Sequence, residues 1–109
     1  MDNNSKLDQL MMDLIVHGGA AKSGYIEAVQ LAKEENHDGI AALLKEADKN
    51  FEEAHKIHFE ILNLESDKKS SMQQLMLIHA EDQLNSAEIF KVLSEEMIEL
   101  YKIVMSIKQ

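Results

Sequence analysis

The residues best placed to do chemistry lie in the run His79-Ala80-Glu81-Asp82, mid-way along a proline-free stretch from about Met72 to Ile107. At roughly 100° per residue, Met72, Leu75, Ile89, Phe90, Leu93, Met97, Leu100 and Ile103 gather on about one half of a helix circumference. His79 and Asp82 fall inside that apolar half, while Glu81, Glu88, Lys91, Glu95 and Glu99 make the charged face. A carboxylate in an apolar stripe is costly unless a charge, a metal or a strong donor meets it. An imidazole one turn away can be oriented by that carboxylate and supported in its charged form.

Two further histidines, His55 and His58, are also three apart and lie on or beside the apolar stripe of the preceding helix. Together with His79 and Asp82 they have the donor types of a zinc or di-metal site. Against a metal-dependent helical enzyme, Glu52 to His55 is the one Glu-x-x-His within the expected helices, Glu34 to His37 running into the expected turn, where di-iron bundles use two. Gly18-Gly19 lies inside helix one, where each glycine costs about 1 kcal/mol relative to alanine. The pair serves either close helix packing or room for a ligand or partner near His17. No glycine-rich phosphate loop, nucleophile elbow or paired-cysteine motif is present, so the common nucleotide-binding and hydrolase signatures are excluded.

The elements that must position these residues are helices. The spacing predicts a first helix from about Ser5, its N-cap, to about Glu35, with Leu7, Leu10, Met11, Leu14, Ile15, Ala21, Ala28, Val29 and Ala32 inward. Asn36-His37-Asp38-Gly39 reads as a turn, with Asp38 capping the second helix. That helix should run to about Glu65 and bury Ile40, Leu44, Ala47, Phe51, Ala54, Ile61 and Leu62. Ser66-Asp67-Lys68-Lys69-Ser70 reads as a loop, with Ser70 or Ser71 capping helix three. Such short connections make successive helices antiparallel. The fold class is therefore all-α, an antiparallel three-helix bundle in one domain over residues 1–109. An apolar arc of about 180° on helix three is wider than one packed face needs. A symmetric homo-oligomer, with helix three facing both its own bundle and its copies, would use the surplus.

Composition narrows the class further. The 109 residues contain no proline, no cysteine and four glycines, and carry a formal charge of −9. That charge argues against nucleic acid and anionic membranes as partners. The absence of cysteine removes disulfide and thiol chemistry and fits a cytoplasmic protein. The N-terminus lacks the basic segment of a signal peptide, and no apolar run approaches the roughly 20 residues needed to span a bilayer.

The pattern resembles the enzyme IIA component of the lactose/cellobiose (N,N'-diacetylchitobiose) class of the bacterial sugar phosphotransferase system, over nearly the whole chain. That family carries His-Ala/Gly-Gln-Asp-His-Leu on its third helix, matched here by His79-Ala80-Glu81-Asp82-Gln83-Leu84. Its Gly-Asp/Asn-Ala-Arg-Ser segment and following Glu-Ala are similar to Gly19-Ala20-Ala21-Lys22-Ser23 and Glu27-Ala28. Glu53-Ala54-His55 and Glu99-Leu100-Tyr101 match two further segments, in order and at the right spacing. The resemblance implies a homotrimer of three-helix protomers, nine helices in all. It implies that His79 accepts a phosphoryl group from the histidine-containing phosphocarrier protein and passes it to a cysteine of enzyme IIB during uptake of a disaccharide. It further implies that Asp82 points to the threefold axis, where three copies share one divalent cation, magnesium suiting the oxygen ligands. Gly19, His55, His58 and Gln83 are expected around the nucleophile. Glu81, Gln83 and Ala20 depart from the family pattern, and His58 stands where many relatives have glutamine, as a compensating donor. The residues do not name the sugar: cellobiose-type β-glucosides, lactose and chitobiose stay open, a cellobiose-type β-glucoside being the one the likeness favours. The competing function is a regulatory helical interaction protein of the same fold.

Overall fold

The computed structural model describes residues 2–64 and 69–108 and contains three helices, α1 (Asn3–Lys33), α2 (Ile40–Asn63) and α3 (Ser71–Lys108). No strand occurs among the described residues. Three of the helix ends have a clear local cause. Asp2 caps α1 by accepting the Ser5 N–H at 2.7 Å, so the cap lies three residues earlier than Ser5. The helix stops at Lys33 in a Schellman motif: Asn36 N–H bonds Leu31 C=O and Glu35 N–H bonds Ala32 C=O, with Glu35 at φ 62°. Asp38 does not cap α2; Gly39 occupies that position and supplies no side-chain bond. Ser70 caps α3 reciprocally, its hydroxyl accepting Gln73 N–H while Gln73 Oε1 accepts Ser70 N–H. The expected loop residues Ser66, Asp67 and Lys68, and the end of helix two at Glu65, lie outside the described residues.

The protomer is a rod of 61 × 21 × 17 Å in which α1 is central. It packs along both other helices, whereas α2 and α3 meet only sparingly. Contacts such as Asp8 with Gln73 and Gly18 with Gln83 show that α1 and α3 run parallel, with α2 antiparallel between them in chain order. The core follows the inward stripe of α1, with Leu7, Leu10, Met11, Leu14, Ala21, Tyr25, Ala28 and Ala32 buried against Ile40, Ala47, Ala54, Ile57 and Ile61 of α2. Leu62, expected inside, is 66% exposed, because the buried row of α2 runs Ala54-Ile57-Ile61 and leaves the next position on the rim.

The larger correction concerns α3. The stripe of Met72, Leu75, Ile89, Leu93, Met97, Leu100 and Ile103 is not packed in its own bundle; every one of these side chains is exposed on the single chain. Phe90 alone of the expected set is half-buried. The bundle-facing row is instead Ala80, Leu84, Ala87, Ser94 and Ile98, on the opposite side of the helix. Small residues there let α1 approach closely, and Ser94 satisfies its buried hydroxyl by donating to Lys91 C=O at 2.8 Å. Helix three thus has two apolar faces, a small-residue face turned inward and a large-residue face turned to solvent.

Candidate functional site

His79 sits on the outward face of α3, exposed, one residue before the buried Ala80 that anchors this turn against the core. Asp82 is one turn further along the same face and is also exposed. By helical spacing Asp82 lies at the middle of the outward stripe, with Ile78, Ile89 and Leu93 around its azimuth. The expected pairing of His79 with Asp82 is not made: neither side chain forms a hydrogen bond or ion pair with another described residue. The imidazole of His79 is therefore free to meet an incoming group. Gln83, one turn after His79, is half-buried where α3 crosses α1. A Cβ built on Gly18 would stand 3.3 Å from Gln83 Cβ, so this glycine sets the close approach of the two helices beside the histidine. Gly19 differs, having nothing within 4 Å of a Cβ built there. Of the two readings of the glycine pair, close packing applies to Gly18 and open space to Gly19.

The remaining histidines are dispersed. His55 is exposed on α2, its ring edge-on to Phe51 at 4.6 Å between centroids. His58 donates from Nε2 to Glu81 Oε2 at 2.9 Å, joining α2 to α3. His17 donates from Nδ1 to Asn50 Oδ1 at 2.9 Å, joining α1 to α2. No group of three or more histidine, aspartate or glutamate side chains able to hold a metal exists among the described residues. His55, His58, His79 and Asp82 are thus not assembled within one chain, and the bundle-core metal site is not formed. The compensating role read for His58 has a definite partner, the glutamate inside the His79 segment.

Sequence reasoning missed a second polar cluster. Tyr25 of α1 is fully buried and donates its hydroxyl to Asp48 Oδ1 of α2, which also accepts Lys91 Nζ of α3 at 2.8 Å. Lys91 extends to Glu95 at 3.3 Å and lies over the Tyr25 ring at 5.7 Å. Burial, reinforced by the hydrogen bond to Asp48, pushes the Tyr25 phenol well above its ordinary value. Burial would raise the Asp48 carboxyl, but the hydrogen bonds from Lys91 and Tyr25 outweigh it and hold the group below the usual range. The same bond to Asp48 raises Lys91 against its own desolvation. The signal was available: Tyr25 continues the inward row Leu14-Ala21-Ala28, and a hydroxyl in that row needs a partner. Further along the α1–α3 groove an apolar depression of about 180 Å³ is lined by Ile26, Val29, Phe90, Leu93 and Met97. No described helix is long and apolar enough to cross a membrane.

Comparison with known proteins places this architecture. Residues 9–102 match the family described as PTS system, lactose/cellobiose specific IIA subunit. The chain is 37% identical to the oligo-beta-mannoside-specific EIIA component of Bacillus subtilis (strain 168), over 87% of this chain and 86% of that protein. It is 29% identical to the lactose-specific EIIA component of Staphylococcus epidermidis, over 92% and 96% respectively. Identity to the N,N'-diacetylchitobiose-specific EIIA component of Escherichia coli (strain K12) is 26%, over 89% and 84%. No solved structure matches the chain significantly. With most of its length matched in one piece, the chain belongs to the lactose/cellobiose-specific IIA family of the sugar phosphotransferase system.

Proposed function

We propose that this chain is the phosphoryl carrier between the histidine-containing phosphocarrier protein and enzyme IIB, with phospho-His79 as the intermediate. The observation that carries this reading is an exposed, unpartnered imidazole in the family's third-helix segment, on a rigid helix. Neutral histidine is nucleophilic near neutral pH. In the first transfer a nitrogen of His79 bonds to phosphorus as the carrier's N–P bond breaks and its imidazole leaves. In the second a cysteine thiolate of enzyme IIB bonds to phosphorus, the His79 N–P bond breaks, and neutral imidazole is regenerated. Such transfers depend on in-line positioning and exclusion of water more than on a general base, so an open helix face that a partner covers suits them.

The outward stripe of α3 supports a homotrimer around these helices, nine helices in all, since an exposed apolar row of this length is a self-association surface. Three Asp82 side chains would then meet near the axis. The residue fits a cation site, being an unpaired carboxylate centred in an apolar stripe, and oxygen donors suit Mg2+. One such ion per trimer, held by the three Asp82 carboxylates, would supply neutralising charge. The protein acts in the cytoplasm, without direct membrane insertion and without nucleic acid. The sugar we propose is a cellobiose-type β-glucoside, in keeping with the family's description.

The onward step tests the reading. Label carried by the phosphorylated chain should pass to enzyme IIB and be lost from the chain when the two are mixed, and alkylating the enzyme IIB thiol should block it. Retention of label with unmodified enzyme IIB would count against a carrier role. Uptake assays with cellobiose and with an oligo-β-mannoside in a deletion strain decide the sugar.

A further inference from the structure

We infer that Gln83 binds the phosphoryl group carried by His79, its side-chain amide donating to a phosphoryl oxygen. This rests on His79 being the phosphoryl acceptor proposed above. A phosphoryl group presents oxygens that only accept, so whatever holds it must donate. The residues that face His79 along the helix are those three and four positions away, namely Leu75, Met76, Asp82 and Gln83. Leu75 and Met76 are apolar and a carboxylate accepts, which leaves Gln83 as the one of the four with a side-chain N–H donor.

The fold leaves that donor unspent. Gln73 and Gln74, earlier on α3, commit their amides to Asp8 Oδ1 at 3.0 Å and to Lys69 C=O at 3.3 Å. The Gln83 amide has no hydrogen-bond partner among the described residues, and although the residue is half-buried its polar atoms are open to water. Its base is held from behind. A Cβ built on Gly18 would stand 3.4 Å from the Gln83 carbonyl oxygen, so α1 closes that side. The Cα–Cβ bond of a helical residue tilts toward the helix N-terminus, so the side chain leaves over the preceding turn, the one that carries His79. A side chain confined at its base gives up less freedom on binding than one free in solvent. The amide bonds a phosphoryl oxygen in the loaded state alone, which draws the phosphoryl group toward this chain when it is shared with a partner.

The test uses the full chain as wild type, Gln83→Leu and Gln83→Ala. Each is equilibrated with phosphorylated phosphocarrier protein, and the fraction of label on each protein is read. Leucine keeps bulk against Gly18 and removes the donor; alanine removes both. The expected result is an equilibrium constant for uptake about three- to tenfold smaller in both variants, the worth of one hydrogen bond at an open site. The melting temperature of Gln83→Leu should be no lower than that of wild type. Wild-type uptake by either folded variant overturns the inference and leaves the carrier function standing. A fall in both melting temperatures, with uptake restored at a lower temperature where the variants are folded, marks a packing role and overturns it as well. Absence of label from His79 of wild type overturns both.

Discussion

Gly24 of α1 rides directly on Ala47 of α2: a Cβ built on the glycine would stand 2.9 Å from Ala47 Cβ and 3.5 Å from its Cα. Contact that close leaves no room for a methyl group without moving a helix. Gly24→Ala should therefore destabilise the protein by about 1–3 kcal/mol despite alanine's better helix propensity. Gly19→Ala, with open space around it, should stabilise by about 0.5–1 kcal/mol. Urea unfolding of the two variants beside wild type checks both signs.

The Tyr25–Asp48–Lys91 cluster should shape stability against pH at both ends. Asp48 titrates below its ordinary range in the folded chain, so its contribution is full above the unfolded carboxylate value of about 4 and is lost as pH falls below it. Tyr25 and Lys91 titrate above theirs, so their contributions are full below about 10 and are lost as pH rises beyond it. Asp48→Asn should cost about 1 kcal/mol at neutral pH, less than a buried pair because its side chain is 45% exposed. It should also flatten the acid limb. Denaturant midpoints for both proteins from acid to alkaline pH provide the check.

How far the sequence foretold this arrangement differs by element. Three helices and their breaks follow from periodicity, since Leu7-Leu10-Met11-Leu14 and Ala54-Ile57-Ile61 are ordinary inward rows. The orientation of α3 does not follow, because hydrophobicity alone cannot separate a core face from an interface face. Leu75 and Leu93 outrank Ala80, Ala87 and Ser94 on any apolar scale, yet small side chains are what close contact with α1 requires. The row Ala80-Leu84-Ala87-Ser94-Ile98 was visible at helical spacing and could have been weighed. At the site, His79 and Asp82 were legible from the motif and their lack of mutual bonding was not. The His58–Glu81 pair depends on the register of two helices joined through residues 65–68, which local spacing does not specify.

The exposed stripe of α3 predicts the assembly. Leu100 is 59% exposed, Ile78 65% and Ile107 77%, along a helix of 38 residues. Light scattering should return three times the chain mass of 12.4 kDa over a wide concentration range. A monomer throughout would show that something other than copies of this chain covers the stripe.

Asp82→Leu should keep the assembly and melt higher than wild type when chelator is present. Carboxylates brought together at an apolar axis repel and must take up protons or a cation. Replacing them with leucine removes that repulsion and extends the stripe around Ile78, Ile89 and Leu93, a change worth about 1–4 kcal/mol. Excess magnesium should narrow the gap by stabilising wild type alone. Thermal unfolding of both proteins with chelator and with magnesium measures it; a variant that melts lower in chelator and falls to monomer would place Asp82 elsewhere.

The central claim is that His79 carries the phosphoryl group. Incubation with phosphoenolpyruvate, enzyme I and the phosphocarrier protein, followed by intact mass and peptide mapping, tests it most directly. The account predicts one phosphoryl group per chain, acid-labile and alkali-stable, on the peptide containing His79, and none on His79→Ala. A chain that takes no phosphate, or a stable adduct on His79→Ala mapped to His17, His55 or His58, would contradict it.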